Sequence, residues 1–278
     1  MTTRGPGNRG GGGGPPRGRD DRRDPRRDII EHQEIDDATK VDSSVPASRA
    51  LAVPNRGSLL VRESHLPRVA ARLPVGMATN EQVDGFRELR TRLQAMATGV
   101  GLRYFTTLVV PITPNSGASF VARNLAAAFT MQDNQMAMLV DCNIRHPTQH
   151  LSLGARADDG GLFDFLEQPH AALDQLVRPT AIPGLHFIPA GHPPSRAKEH
   201  FSSAAMRMLM SALRQEACFT FLDGPPTQGS PDARILADLA DFVIVVLSYG
   251  SATSDTIAST AAMFDPAKFA GVVFNERT

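Results

Sequence analysis

A doubly wound α/β fold, with a mainly parallel sheet and helices on both faces, is what this 278-residue sequence predicts. Three observations carry that expectation. Apolar runs such as MAMLV, FVIVVL and GVVF are continuous rather than alternating, as strands are when both faces of a sheet are covered. These runs alternate with segments of helical period, the pattern of βα units feeding a parallel sheet. The stretch from Phe105 to Phe129 (FTTLVVPITPNSGASFVARNLAAAF) reads as buried strand, short loop and helix N-terminus. That is a physical recipe for holding a phosphate, because loop N–H groups and the helix dipole aim positive charge at one spot.

Taken in order, residues 1–28 are Gly, Pro, Arg and Asp with almost nothing apolar to bury, which predicts a disordered arm. Residues 29–78 stay polar, with prolines at 46, 54, 67 and 74, and read as a linker, so the expected division is 1–78 arm and linker, 79–278 folded domain. Residues 80–97 place Val83, Phe86, Leu89 and Leu93 on one apolar helical face, with Asp84, Arg87 and Arg90 on a neighbouring one. Strands are expected at 104–112, 136–141, 185–190, 218–223, 241–247 and 270–275, and further helices at 119–131, 160–167, 202–215, 231–238 and 253–263. Met206, Leu209, Met210 and Leu213 form a core stripe on the 202–215 helix.

Composition narrows the function. Formal net charge is zero, so the molecule as a whole offers no electrostatic case for nucleic acid, although residues 1–28 hold eight Arg against four Asp. The two cysteines, Cys142 and Cys218, fall in strand regions and suit buried thiols in a reducing compartment. No run approaches the roughly 18–20 apolar residues of a membrane span, and the N-terminus has no apolar leader segment, so a cytoplasmic protein is expected. Among themselves His150, His170, His186, His192 and His200 show no metal-ligand spacing and read as structural or surface groups.

In a doubly wound sheet ligands gather beyond the carboxyl ends of the strands. The polar residues expected there are the loop 113–119, Asp141, Asp223 and Asn275. Two aspartates ending apolar strands beside a phosphate-type loop can hold Mg²⁺ and orient a reacting group in nucleotide hydrolysis or phosphoryl transfer. The loop departs from G-x-x-x-x-G-K-[ST] at two places: Ile112 stands at its first glycine and Ala118 at its lysine, while Gly117 and Ser119 match.

Over about residues 80–278 the sequence resembles the cytoplasmic P-loop domain of bacterial tyrosine kinases, the group that controls capsule and exopolysaccharide synthesis. Pro114-Asn115-Ser116-Gly117-Ala118-Ser119 stands where that family reads much like PGEGKS. Val140-Asp141-Cys142-Asn143-Ile144-Arg145-His146-Pro147 is similar to its VDADLRRP, and Phe221-Leu222-Asp223-Gly224-Pro225-Pro226 to its apolar run ending DTPP. Asp84, Arg87 and Arg90 are the counterpart of its E-x-x-R-x-x-R helix, which assembles subunits into a ring, with Asp in place of Glu.

The resemblance implies a P-loop NTPase fold of the ParA/MinD-like branch, with ATP and Mg²⁺ as ligands. It implies nucleotide contacts from Asn115, Ser116, Gly117, Ala118, Ser119, Phe120 and Asn275, catalytic roles for Asp141, Asn143 and Asp223, and metal ligation by Ser119, Asp141 and Asp223. A membrane polysaccharide co-polymerase with a cytoplasmic tail is the implied partner, at the inner membrane, alongside a homo-oligomeric ring built through Asp84, Arg87 and Arg90.

The departures bear on activity. A methyl group at Ala118 cannot supply a charge-assisted hydrogen bond to a phosphate. Losing one preorganised donor to a transition state typically costs on the order of 10²–10³ in rate. Asn115 replaces a glycine, and Asn is among the residues that tolerate left-handed φ. Asn143 replaces the second acid of the family's D-x-D. Family kinases phosphorylate tyrosines of their own tail, whereas this sequence holds only Tyr104 and Tyr249, so an acceptor of that type is not expected. Arg123, four residues past Ser119, and Arg145 are candidate replacement cations, with an ordinary exposed arginine the favoured reading of Arg123. The expected function is therefore a pseudokinase that acts by docking. An active kinase with a relocated cation is the alternative, and a ParA/MinD-like positioning ATPase the less favoured third.

Overall fold

In the computed structural model, residues 80–154, 160–169, 173–192, 200–229, 231–248, 250 and 252–275 are described. The arm and linker expected over 1–78, and Tyr249, lie outside them. The chain runs α1 (Asn80–Gly99), β1 (Thr106–Pro111), α2 (Ala118–Thr130), β2 (Ala137–Asp141), α3 (Gln149–Leu153) and α4 (Leu162–Glu167). It continues through α5 (Leu173–Leu176), β3 (Arg178–Pro179), β4 (Leu185–Ile188), α6 (Ala204–Gln215) and β5 (Phe219–Asp223). The last elements are α7 (Asp232–Leu239), β6 (Phe242–Ser248), α8 (Ser254–Ala261) and β7 (Phe269–Asn275).

The strands form one sheet in the order β3-β4-β2-β5-β1-β6-β7, and every pairing is parallel except β3 with β4. The six strands and six helices expected from sequence each lie within two residues of an observed element at either end. The two-residue β3 and the short helices α3 and α5 have no counterpart in those expectations. None of the three is long enough to show a period in the sequence.

Strict alternation sorts the strand residues between two cores. Leu108, Val110, Met138, Val140, Leu222, Val243 and Val245 pack with α4, α6 and α7 on one face. Val109, Ala137, Leu139, Phe219, Phe221, Ile244 and Val246 pack with α1 and α2 on the other. The predicted stripe of α6 is buried at Met206, Leu209, Met210 and Leu213. Both cysteines are buried, and neither forms a disulfide. Among the described residues no helix is long and apolar enough to cross a membrane.

This topology positions the site. β1 lies at the centre with β5 on one side and β6 on the other; the chain leaves β1 toward β2 but leaves its neighbour β6 toward β7, so the loop after β1 opens where the connections reverse direction. In register, Asp141 of β2 stands beside Asp223 of β5, and Asp223 in turn pairs with Val109 of β1. The two acids and the loop after β1 are thereby brought to one edge of the sheet.

Candidate functional site

The loop between β1 and α2 is shaped by two left-handed residues, Asn115 (φ 64°) and Gly117 (φ 84°). Asn is one of the few residues with a side chain that adopt this region readily. At Gly117 the requirement is stricter, because a Cβ there would also collide with the Asn275 carboxamide. Asn275, the last residue of β7, donates from Nδ2 to the Ser116 carbonyl at 3.2 Å and so covers the loop from the side. Ser116 is buried, and its hydroxyl donates to the Thr113 carbonyl at 2.7 Å. The backbone N–H groups from Ser116 to Phe120 find no acceptor among the described residues, the pattern expected of a helix N-terminus that can receive an anion. Ala118 opens α2 with its methyl group 4% exposed and packed into the core on the α1 and α2 side.

Behind the loop stand the two acids. Asp141 and Asp223 are both fully buried. Asp141 accepts the Asn143 N–H on Oδ1 at 3.1 Å and the Gln149 N–H on Oδ2 at 3.3 Å. Asp223 accepts Nε2 of Gln149 on Oδ2 at 2.8 Å, with the Ser119 side chain close by. Its Oδ1 is buried with no partner among the described residues. Burial pushes the Asp223 carboxyl up to about 6, although the bond from Gln149, the nearby Ser119 side chain and the charge of Arg123 pull the other way. Asp141 is raised as well, first by burial and then by Asp223 beside it.

Gln149 is the residue that sequence reasoning missed. It opens the five-residue α3 and is wholly buried. Its Nε2 donates to Asp223 and, at 2.8 Å, to the Ser119 carbonyl, while its Oε1 accepts Nη1 of Arg123 at 3.0 Å. No periodicity marks it in the sequence; its only signal is a polar residue a few positions past a strand-end aspartate.

Arg123 is not the ordinary exposed arginine favoured from sequence. It is 7% exposed, its guanidinium lies 6.0 Å from the centre of the Phe120 ring, and it is oriented toward Gln149 and Asp223. The reason is helical: four residues separate it from Ser119, so both side chains lie on the face of α2 that meets β5. Burial lowers its pKa and Asp223 opposes that shift. It remains a cation.

The other predicted residues scatter around this centre. Asn143 accepts the His146 N–H on its side chain at 3.4 Å and so shapes the turn after β2. Arg145 is exposed and makes no hydrogen bond with the described residues. Cys142 is buried, and burial together with both acids pushes its thiol well up, as befits a packing residue. On α1, Asp84 and Arg87 form an exposed ion pair at 3.1 Å. Arg90 instead reaches across to the Ala128 carbonyl at 2.7 Å, in the last turn of α2, where a cation offsets the helix dipole.

These donors can be compared with the implied ligands. The loop N–H groups fit a phosphate. The hard oxygens fit one Mg²⁺ in kind, through the orphaned Oδ1 of Asp223 and the Ser119 hydroxyl. Among the described residues no His, Cys, Asp or Glu joins the two acids to make a three-ligand set.

No protein-family model matches the chain. Individual relatives do. EpsB of Ralstonia solanacearum is 30% identical over 251 residues, which is 89% of this chain and 32% of EpsB. The tyrosine-protein kinase Wzc of Salmonella typhimurium is 28% identical over 206 residues, 73% of this chain and 28% of Wzc. The chain thus spans about a third of the length of these relatives. Among solved structures, the BceF tyrosine kinase domain superposes with a TM-score of 0.61 at 27% identity, covering 70% of this chain and 77% of that one. The mostly parallel sheet flanked by helices agrees with that solved domain, and the chain is a P-loop domain like that of the bacterial tyrosine kinases, related to EpsB and Wzc.

Proposed function

We propose that this chain is a bacterial tyrosine-kinase homologue that has lost phosphotransfer and acts by docking. Its partner would be the cytoplasmic tail of a membrane polysaccharide co-polymerase, at the inner face of the membrane, in capsule or exopolysaccharide assembly. The observation that supports the loss is Ala118. The position that opens α2, where a cation would meet the phosphates, carries a methyl group turned into the core. The intact sheet and loop support retention of the fold for binding, and the exposed Asp84–Arg87 pair on α1 is available to a neighbouring copy in a ring.

The test has two arms. Calorimetric titration with Mg·ATP, together with a phosphotyrosine assay on the co-polymerase tail, should give no turnover. Pull-down with that tail should give a complex. Turnover that Asp141→Ala abolishes would overturn the reading.

One observation favours a second reading, an active ATP-dependent kinase with a relocated cation. Arg123 is buried against the Asp223 network rather than exposed. That reading predicts ATP hydrolysis lost in Arg123→Ala or Arg145→Ala, and it fails if neither variant changes the rate.

A further inference from the structure

We infer that Arg123, linked to Asp223 through the Gln149 amide, is the resident counter-charge of Asp223, placed so that it opposes a divalent metal at the single carboxylate oxygen of the two acids that has no partner among the described residues. The inference rests on reading the loop after β1 as the nucleotide site, and it names what governs metal binding there.

Three of the four carboxylate oxygens already accept a hydrogen bond. Both oxygens of Asp141 take backbone N–H groups, from Asn143 and Gln149. Asp223 gives Oδ2 to the Gln149 amide, and Oδ1 alone is buried without a partner among the described residues. A divalent ion would find that oxygen and the Ser119 hydroxyl.

The place is electrically occupied by a cation that cannot easily leave. The Gln149 carboxamide points its oxygen at Nη1 of Arg123, and its nitrogen at Asp223 and at the Ser119 carbonyl. Flipping that amide would set oxygen against two acceptors and nitrogen against a guanidinium, so its orientation is fixed by charge. Arg123 is 7% exposed, and its Nε has no partner among the described residues. A fixed unit charge buried close to Asp223 acts through a medium far less polarisable than water, so it disfavours a second, doubly charged ion at Oδ1. The geometry also separates two roles that one loop lysine would combine. The loop presents only N–H groups to an anion, while the cation lies behind Ser119 and faces the acids.

The test is a titration of Mn²⁺ alone, followed by the electron paramagnetic resonance signal of the free ion, into the full chain without nucleotide. Wild type is compared with Arg123→Met, which keeps the reach and removes the charge, and with Arg123→Lys. Arg123→Met should bind one Mn²⁺ roughly tenfold or more tightly than wild type, the scale expected when a nearby buried charge is removed. Adding Asp223→Asn to it should abolish the gain. The lysine variant, which keeps the charge, should stay within about threefold of wild type, so that the gain in Arg123→Met is assigned to the charge. If Arg123→Met fails to fold by circular dichroism, Arg123→Gln keeps a donor for Gln149 and removes the charge alone. Equal Mn²⁺ affinity in wild type and the neutral variant, including no binding to either, overturns the inference. So does a gained ion that survives Asp223→Asn. Loss of phosphotransfer is read separately, in ATP turnover, so turnover in wild type would sink that proposal and leave the Mn²⁺ comparison standing.

Discussion

Gln149 donates to Asp223 across 74 positions of sequence, at 2.8 Å, with both side chains wholly buried. The bond satisfies one oxygen of a carboxylate that burial already disfavours, and the other end of the same amide satisfies Arg123. Removing it strands two charged groups at once. Gln149→Leu should therefore destabilise the fold by about 3 kcal/mol, well beyond the usual cost of a single neutral hydrogen bond. Urea denaturation of the two proteins measures the difference, and a loss below about 1 kcal/mol would mean that the bond is not made in solution.

The acids set a pH dependence with a definite sign. Asp223 is raised from 3.8 to about 6 in the folded chain, and Asp141 is raised too. A carboxyl whose folded pKa exceeds its unfolded one holds its proton more tightly when folded. Its contribution to stability is fully present below the unfolded value and is lost as pH rises through the folded one. Asp223→Asn removes this dependence at one site. The stability of wild type relative to that variant should fall between pH 4 and pH 6 and level off above, as read from urea midpoints across that range. A difference independent of pH would show that Asp223 is ionised as readily in the fold as out of it.

Gly117 and Asn275 form a close steric pair. Gly117→Ala should cost about 1–2 kcal/mol from the left-handed backbone alone, with a further cost from displacing the Asn275 carboxamide. Combining it with Asn275→Ala should return the second part and leave the first. A double-mutant cycle in thermal or chemical denaturation reads this coupling, and strict additivity would exclude the contact.

Ala118→Lys should raise Mg·ATP affinity by about tenfold or more, since one charge-assisted contact to a phosphate is worth that much or more. Its long side chain cannot stay in the core pocket of a methyl group and must turn into the loop. Calorimetry on the variant checks the gain. No gain would show that the loop cannot accept the phosphates even with its cation restored, and would place the defect in Asn115, Ser116 or the Asn275 cover instead.

The sequence by itself determined the α/β class, six of the strands, the position of the loop and the two strand-end acids, because strand runs, helical period and small-residue loops are local patterns. It also carried the alanine at position 118, which is a matter of residue identity. What only the tertiary structure decided is who meets whom at the strand ends. That β5 inserts between β2 and β1 brings Asp141 and Asp223 side by side, and no spacing in the chain encodes it. The burial of Arg123 was misread for the same reason: charge predicts exposure unless a partner waits inside, and that partner, Gln149, is supplied by a five-residue helix with no period to detect. Parallel register, not local pattern, turned a scattered Arg, Gln and two Asp into one buried network.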